Sequence, residues 1–233
     1  MKIGILECGP TPPKVAARHG DFARMMARLF HGRGWTFEAF AAMDMHFPDA
    51  TGDADAWLLT GSRYGAYDTR AFIPPLEGFI RRCAADGAPM MGICFGHQII
   101  AQAMGGRVKK NPDGWTLGRQ TYDFGPAGAL SLTAWHQDIV TEAPEEAVVA
   151  ATHPACAIAA LRYPGWGATM QAHPEFDPDV TSALIEARRD DPDLPADRLA
   201  AATQAVALPL DSQRAADWLA SGIGAAARDA RAG

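Results

Sequence analysis

The sequence lacks the marks of several large protein classes. Its 4 cysteines are widely separated and include no Cys-x-x-Cys pair, so it predicts neither a disulfide framework nor a zinc site. No apolar run is long enough to span a membrane, and the N-terminus lacks the apolar stretch and cleavage site of a signal peptide. We therefore expect a cytoplasmic chain with reduced thiols and with neither a metal nor a membrane partner.

Positive charge and nucleotide-binding motifs are also scarce. Lysine and arginine number 21 against 27 aspartates and glutamates, which gives a net charge of −6 and no basic footprint for nucleic acid. The sequence contains neither the phosphate-binding pattern G-x-x-x-x-G-K-[ST] nor the dinucleotide pattern G-x-G-x-x-G. It therefore predicts no nucleic-acid partner, no cofactor and no synthase domain.

The composition is that of a globular chain with one core. Apolar residues make up 48% and charged residues 21% of the 233 residues, enough for one sizeable core but not for a large second domain. No linker, internal repeat or low-complexity segment divides the chain. We therefore predict a single domain over residues 1–233.

Apolar strand patterns alternate with amphipathic helix patterns in the first part of the chain. The strand patterns lie at 2–8, 35–40, 56–60 and 89–93. This order predicts an α/β fold, with a mostly parallel sheet between helices and with sites beyond the carboxyl ends of the strands. Short β-like runs between 107 and 171 predict an antiparallel extension. The alanine-rich tail predicts helices at 199–208 and 212–227.

The most informative segment is the run Gly-Ile-Cys-Phe-Gly at residues 92–96, where an apolar strand pattern changes at once into a helical one. This is the cysteine version of the nucleophile elbow, a sharp strand-to-helix turn that presents the nucleophile. A turn this tight leaves no room for Cβ atoms at positions 92 and 96, where glycine stands. Because a helix N-terminus offers free N–H groups and partial positive charge, we expect Cys94 to be reactive. Cys8, Cys83 and Cys156 are expected to pack in the core.

A cysteine nucleophile needs a base, and the base needs an orienting group. Among the 7 histidines, His173 directly follows a strand-like run, and Glu175 lies two residues on, at the same side of an extended segment. The carboxylate would fix the imidazole tautomer and stabilise its charged form. His97 follows Cys94 by three residues, but helical geometry turns it away from the thiol, so we interpret it as a packing or hydrogen-bonding residue.

Residues 92–98 (Gly-Ile-Cys-Phe-Gly-His-Gln) and 171–176 (Gln-Ala-His-Pro-Glu-Phe) together resemble the class I, or triad, glutamine amidotransferases, and in particular the glutaminase domain of GMP synthetase. The resemblance runs to about residue 190 and leaves 191–233 as an unmatched helical extension. It implies a flavodoxin-like three-layer sandwich. It also implies that Cys94 attacks the γ-carboxamide of glutamine, that His173 takes and returns the proton, and that Glu175 orients His173.

The resemblance further implies an oxyanion hole of main-chain N–H groups. One donor is Phe95, directly after the nucleophile. The other lies in the Thr60-Gly61-Ser62 turn, where the family usually has Ser-Gly-Gly-Pro; matching the two patterns puts this donor at Ser62, with Gly61 beside it. Arg63 stands where the family has proline. It is either a ligand for a substrate carboxylate or a solvated loop arginine, and both interpretations stay open.

Substrate binding is implied at two further places. Gln98, one helical turn after Cys94, resembles the family residue that contacts bound glutamine. The Trp135-His136-Gln137-Asp138 segment resembles the loop that holds the α-amino and α-carboxylate groups. His136, Gln137 and Asp138 are therefore candidate ligands of the substrate.

Three functions are compatible with these motifs. The chain hydrolyses glutamine to glutamate and ammonia, including as the ammonia-supplying component of a two-chain enzyme whose synthase is a separate polypeptide. Alternatively, it hydrolyses other γ-glutamyl compounds, such as γ-glutamyl peptides or amines, by the same acyl-cysteine chemistry. The third function is that of a non-catalytic binding protein on the same fold, and the complete triad argues against it.

Overall fold

The structure, a computed structural model, describes residues 1–224. Its strands are β1 (Lys2–Leu6), β2 (Thr36–Phe40), β3 (Ala56–Leu59), β4 (Met90–Ile93), β5 (Arg107–Lys110), β6 (Thr116–Asp123), β7 (Ala129–His136), β8 (Asp138–Glu142), β9 (Val148–His153), β10 (Cys156–Tyr163) and β11 (Gly167–Met170). Its α-helices are α1 (Pro13–His19), α2 (Phe22–Leu29), α3 (Ile73–Ala85), α4 (Phe95–Ala103), α5 (Pro178–Ala187), α6 (Ala196–Ala205) and α7 (Ser212–Gly224).

A nine-stranded central sheet has the order β2-β1-β3-β4-β11-β10-β9-β6-β7. The strands from β2 to β11 in this order run parallel to one another. From β11 onward, neighbouring strands are antiparallel. Strands β5 and β8 form a separate two-stranded sheet. The predicted α/β fold, with its mostly parallel sheet and antiparallel extension, is confirmed.

The parallel half follows directly from its sequence pattern. Strands β3 and β4 are buried along their whole length, as expected for strands covered on both faces. Helix α2 begins where the Asp21 side chain accepts a hydrogen bond from the Arg24 N–H at 2.8 Å, which is a standard N-cap. Its apolar face, which includes Phe22 and Met26, is buried as the helical spacing predicted.

Strand β11 corrects one part of the prediction. It was expected to belong to the antiparallel extension, but it pairs with β4 in parallel, with Met170 opposite Ile93. A four-residue apolar run carries no signal for strand direction, so the sequence pattern could not distinguish the two. The parallel direction matters, because the carboxyl ends of β4 and β11 then meet at one edge of the sheet. This brings Cys94 and His173 to the same edge.

Helices cover both faces of the central sheet. One buried cluster joins the sheet to α2 and α7 through residues such as Met26 and Leu219. The other joins it to α3 and α4 through residues such as Phe79 and Ile99. The result is the expected three-layer arrangement.

The tail adds two helices to this arrangement. The helix predicted at 199–208 is α6, which begins earlier, at Ala196, and ends at Ala205, before Pro209. The helix predicted at 212–227 is α7, which packs on β11 and β4; residues 225–227 of that prediction, and the remainder to 233, lie outside the described residues. Among residues 1–224, no helix is both long and apolar enough to cross a lipid bilayer.

Candidate active site

Cys94 lies at the sharp turn between β4 and α4. Its φ of 53° and ψ of −103° place a non-glycine residue in a strained region of backbone conformation, which typically costs about 1–3 kcal/mol. The flanking glycines allow this turn. A Cβ at Gly92 would lie 2.6 Å from the backbone of Gly96, and a Cβ at Gly96 would lie 2.3 Å from the carbonyl oxygen of Leu59. The backbone therefore has the form of a nucleophile elbow.

The turn after β3 lies against the start of α4. The Gly96 N–H donates to the carbonyl oxygen of Thr60 at 3.1 Å, and this bond holds the two segments together. The N–H groups of Phe95 and Ser62 have no hydrogen-bond acceptor among the described residues. Gly61 is buried between these segments and His173, since a Cβ at Gly61 would lie 2.9 Å from Cε1 of the imidazole. Free N–H groups at this place can stabilise a negative oxygen next to Cys94.

His173 and Glu175 form a buried pair. Nδ1 of His173 donates to Oε1 of Glu175 at 2.7 Å, and both side chains are almost fully shielded from solvent. The ring of Phe176 stacks on the imidazole at a centroid distance of 4.1 Å with an interplanar angle of 2°. The His173 N–H donates to the carbonyl oxygen of Thr133 at 2.8 Å, which fixes the backbone as well. The imidazole is therefore held in one position and one tautomer.

The charge of His173 is set by its neighbours. Burial alone lowers its pKa, but the carboxylate of Glu175 and the sulfur of Cys94 outweigh burial and raise the pKa to about 10. Nδ1 is engaged by Glu175, so Nε2 is the ring nitrogen available to Cys94. The raised pKa therefore makes Nε2 a strong proton acceptor beside Cys94.

Gln171 contacts the sulfur of Cys94, and we did not predict a role for it. Its Nε2 donates to Sγ at 3.5 Å, and its Oε1 accepts a hydrogen bond from Nε2 of Gln98 at 3.1 Å. Gln98 is buried and also donates to the carbonyl oxygen of Asp138 at 2.9 Å. The sequence signal that could have identified Gln171 is its spacing from His173, because residues 171 and 173 lie on the same side of an extended segment.

The segment at 135–138 is not the loop that was expected. Trp135 and His136 end β7 in the central sheet, whereas Asp138 begins β8 in the small sheet. Gln137 alone joins the two strands, so the chain changes from one sheet to the other at this residue. The carbonyl oxygen of Gln137 accepts a hydrogen bond from the Asn111 N–H at 2.8 Å. His136 and Asp138 therefore lie on strand ends, which hold side chains more firmly than a loop does, and Gln137 lies between them.

His136 is a buried histidine with both ring nitrogens unpaired. It is 3% exposed, and neither nitrogen has a hydrogen-bond partner among the described residues. Burial and the nearby positive charge of His173 lower its pKa to about 3, so the imidazole is neutral. A neutral imidazole offers one donor and one acceptor to a bound molecule.

Asp138 and Arg63 lie at the outer part of this region. Oδ1 of Asp138 accepts a hydrogen bond from the hydroxyl of Tyr67 at 3.0 Å, which connects the loop after the oxyanion turn to β8. Arg63 is exposed. The structure thus brings the predicted catalytic residues, Phe95, Gly61 and Gln98 together, whereas Arg63 lies at the surface.

The other cysteines are core residues, as expected. Burial raises the pKa of Cys8, Cys83 and Cys156 to about 12 in each case. The Cys8 thiol also donates to the carbonyl oxygen of Leu6 at 3.3 Å. Within residues 1–224, no group of three histidine, cysteine or acidic side chains is arranged to hold a metal ion.

Comparisons with known proteins agree with this geometry. The family model described as "Glutamine amidotransferase class-I" matches residues 54–188. One subunit of the glutamine-hydrolyzing GMP synthase of Methanopyrus kandleri is 32% identical over 190 residues, 71% of this chain and 92% of that protein. Gamma-glutamyl peptidase 3 of Arabidopsis thaliana is 23% identical over 188 residues, 74% of this chain and 76% of that protein. The crystal structure of a glutamine amidotransferase from Methylobacillus flagellatus has a TM-score of 0.71 at 20% identity, over 97% of this chain and 95% of that chain, and so shows the same fold.

Proposed function

Because the chain belongs to the class I glutamine amidotransferase family, we propose that it hydrolyses the γ-glutamyl amide bond of glutamine through a thioester on Cys94. One observation carries this proposal: the buried His173–Glu175 pair, joined at 2.7 Å, lies at the same sheet edge as the strained turn of Cys94. The strained backbone of Cys94 is consistent with a turn that presents a nucleophile.

The first step is formation of the thioester. Nε2 of His173 takes the thiol proton of Cys94, and the sulfur attacks the γ-carbonyl carbon of glutamine. The carbonyl oxygen becomes negative and accepts hydrogen bonds from the N–H groups of Phe95 and Ser62. Each such donor typically contributes on the order of 3 kcal/mol to the stability of the transition state. Both are main-chain groups, so side-chain substitution alone would not remove them.

The second step releases ammonia, and the third restores the enzyme. His173 gives its proton to the amide nitrogen as the carbon–nitrogen bond breaks, which leaves ammonia and the γ-glutamyl thioester. A water molecule then attacks the thioester while His173 takes one of its protons. The carbon–sulfur bond breaks, glutamate leaves, and the proton returns to the sulfur. Glu175 keeps the imidazole in the required tautomer throughout.

The same proposal assigns substrate binding to four side chains near the elbow. The neutral imidazole of His136 has two unpaired nitrogens that can contact the polar end of the substrate. Asp138 supplies negative charge for an α-ammonium group, and Gln98 and Gln137 supply amide groups. Arg63 is further out and exposed, where it can meet a substrate carboxylate only at the rim of the site.

A second candidate function is hydrolysis of γ-glutamyl peptides or amines. A cavity of about 550 Å³ lies in the loop that follows the oxyanion turn, and Met43, Tyr64, Asp68, Arg70 and Phe72 line it. The guanidinium of Arg70 stacks on Tyr64 at 3.6 Å from the ring centroid. A γ-glutamyl peptide releases a larger group than the ammonia released from glutamine, and this cavity is the space that the second candidate function would use, although no residue of the proposed site lines it. A relative of this chain is also named a gamma-glutamyl peptidase.

If glutamine is the substrate, the released ammonia serves a synthase on a separate polypeptide. The relative named as one subunit of a GMP synthase motivates this partner. The cytoplasmic location expected from the sequence stays a prediction. We propose no nucleic-acid partner and no cofactor, because the chemistry above uses only protein groups.

Glutamate release distinguishes the candidate functions. The purified chain is incubated with glutamine, with a panel of γ-glutamyl peptides and with γ-glutamyl amines, and glutamate is measured for each. We expect release by the natural chain and at least a ~1000-fold loss in Cys94→Ser, by the usual cost of removing a nucleophile. Cys83→Ser, a buried cysteine on α3, should keep full activity. Activity in Cys94→Ser would contradict the thiol mechanism, and no release from any compound would favour a non-catalytic binding protein.

A further inference from the structure

A chain of side-chain amides ends at the sulfur of Cys94. The carbonyl oxygen of Asp138 accepts from Nε2 of Gln98 at 2.9 Å, Gln98 also donates to Oε1 of Gln171 at 3.1 Å, and Gln171 donates to Sγ at 3.5 Å. Gln171 is 0% exposed and Gln98 is 3% exposed. Neither side-chain amide can therefore hydrogen-bond to bulk water, and the orientation of each amide depends on the hydrogen bond made by its neighbour.

The donor-to-acceptor direction of this series of hydrogen bonds is fixed at the carbonyl of Asp138. A backbone carbonyl can only accept a hydrogen bond, so Gln98 must turn its NH₂ group toward Asp138. The second hydrogen of that group then faces Gln171, which must present its oxygen. The NH₂ group of Gln171 is thereby left facing Cys94. A flipped Gln171 amide would set its NH₂ group against that of Gln98 and its oxygen against the sulfur.

A donor at the sulfur stabilises negative charge there more than it stabilises the neutral thiol. Negative charge develops on Sγ twice in the proposed reaction: when His173 takes the thiol proton, and when the thioester breaks with sulfur as the leaving group. Gln171 therefore acts on the sulfur as a hydrogen-bond donor, a role distinct from the proton transfer assigned to His173.

We propose that Gln171 is a catalytic hydrogen-bond donor to Cys94 and that Gln98 is a positioning residue that keeps the Gln171 donor aimed at the sulfur. This inference rests on the proposed function, in which Cys94 is the nucleophile. It gives Gln98 a role beyond the predicted contact with substrate, because both of its N–H groups are used inside the protein.

The test is the rate at which iodoacetamide alkylates Cys94 at about pH 7, measured without any γ-glutamyl compound. Peptide mass mapping assigns the modified residue, and Cys94→Ala provides the background. In Gln171→Met we expect the rate to fall about 10-fold or more, the usual effect of losing a hydrogen bond to a charged group. Thr169→Val is the matched control. Thr169 is equally buried, on β11 two residues before Gln171, and its hydroxyl bonds to His97 at 2.8 Å, so this variant loses a buried hydrogen bond but keeps the alkylation rate.

Gln98→Met separates positioning from substrate binding. Gln98 does not touch the sulfur, yet we expect alkylation to slow about 3-fold or more, because the Gln171 amide becomes free to turn. If Gln98→Met alkylates at the natural rate and only raises KM, Gln98 is a substrate contact and the positioning role is wrong. If folded Gln171→Met, checked by its near-ultraviolet circular dichroism, alkylates like the natural chain, the donor role is wrong. Should Gln171→Met not fold, Gln98→Met decides the question, because it leaves the neighbour of the sulfur in place.

Failure of this inference differs from failure of the proposed function. A natural chain that releases glutamate while Gln171→Met alkylates normally would overturn the inference and leave the function intact. A natural chain that releases no glutamate, but in which both amide substitutions slow alkylation, would overturn the function and leave the contact with the sulfur intact.

Discussion

The neighbours of the proposed base set its proton affinity. His173 is almost fully buried, and burial by itself would lower its pKa, as it does for His136 and His97, whose pKa values are lowered to about 3 and about 4. The Glu175 carboxylate at 2.7 Å, together with the sulfur of Cys94, reverses this for His173. Two histidines of one site thus differ in proton affinity because only His173 has such partners.

We predict that Glu175→Gln lowers the pKa of His173 from about 10, because the Glu175 carboxylate is the largest of the influences that raise this pKa against the effect of burial. The measurement is an NMR titration of the His173 Cε1–H signal, assigned with His173→Gln. Glutamate release should fall about 100-fold or more, since the imidazole also loses its orienting partner.

Glu186→Gln is the matched control for this prediction. Glu186 pairs with Arg18 at the surface, at 3.0 Å, and does not touch the imidazole. Its substitution should leave both the titration and the activity unchanged. A pKa of about 10 for His173 in Glu175→Gln would show that Glu175 does not set its charge.

Residue roles were predictable where the sequence pattern is local. Cys94 was identified from its flanking glycines, and Glu175 from its position two residues after His173. Gln171 and Tyr67 were missed, because their partners Cys94 and Asp138 are 77 and 71 residues away in the chain. Only the pairing of strands in three dimensions brings such residues together.

At the scale of elements, the elbow depends on how closely α4 approaches β3 and β4. The carbonyl of Leu59 lies where a Cβ on Gly96 would be, and backbone cannot move aside as a flexible side chain can. The two-glycine spacing is therefore a steric requirement of this turn as well as a motif.

We predict that Gly96→Ala destabilises the protein by about 1–3 kcal/mol, the usual cost of forcing an extra methyl group into a packed region. Gly78→Ala is the matched control, because Gly78 lies inside α3 and a Cβ there meets only Arg82 Nη1, at 3.7 Å. That variant should gain about 0.5–1 kcal/mol from higher helix propensity. Urea unfolding of both variants measures the difference, and equal stabilities would contradict the close approach at Gly96.

Element boundaries and directions were less predictable than element types. The helix pattern around Phe22 gave α2 correctly, because four apolar residues on one face leave little choice. Strand β11 was assigned to the wrong kind of pairing, and the strand ends at His136 and Asp138 were taken for a loop. Short apolar or mixed runs of residues indicate that a strand exists, but they do not indicate which neighbouring strand it pairs with.

For the whole molecule, buried histidines oppose one another in their effect on stability. The folded pKa values of His97 and His136 lie below the usual value of 6.5, so their contributions are complete above pH 6.5 and are lost as pH falls toward about 4 and about 3. The folded pKa of His173 is raised to about 10, so its contribution is complete below pH 6.5 and is lost as pH rises toward 10. Stability from these groups is therefore greatest near pH 6.5.

We predict that the free energy of unfolding falls as the pH is lowered from about 6.5 to about 5. Over this range the histidines of the unfolded chain bind protons, whereas buried His97 and His136 of the folded chain stay neutral. Each histidine adds a slope of up to about 1.4 kcal/mol per pH unit. Urea unfolding at intervals of pH measures the slope in the natural chain and in His97→Gln, where the share of His97 should disappear even if the variant is less stable overall. An unchanged slope in His97→Gln would mean that His97 takes up its proton in the folded protein, against its burial between Thr169 and the carbonyl oxygen of Ile158.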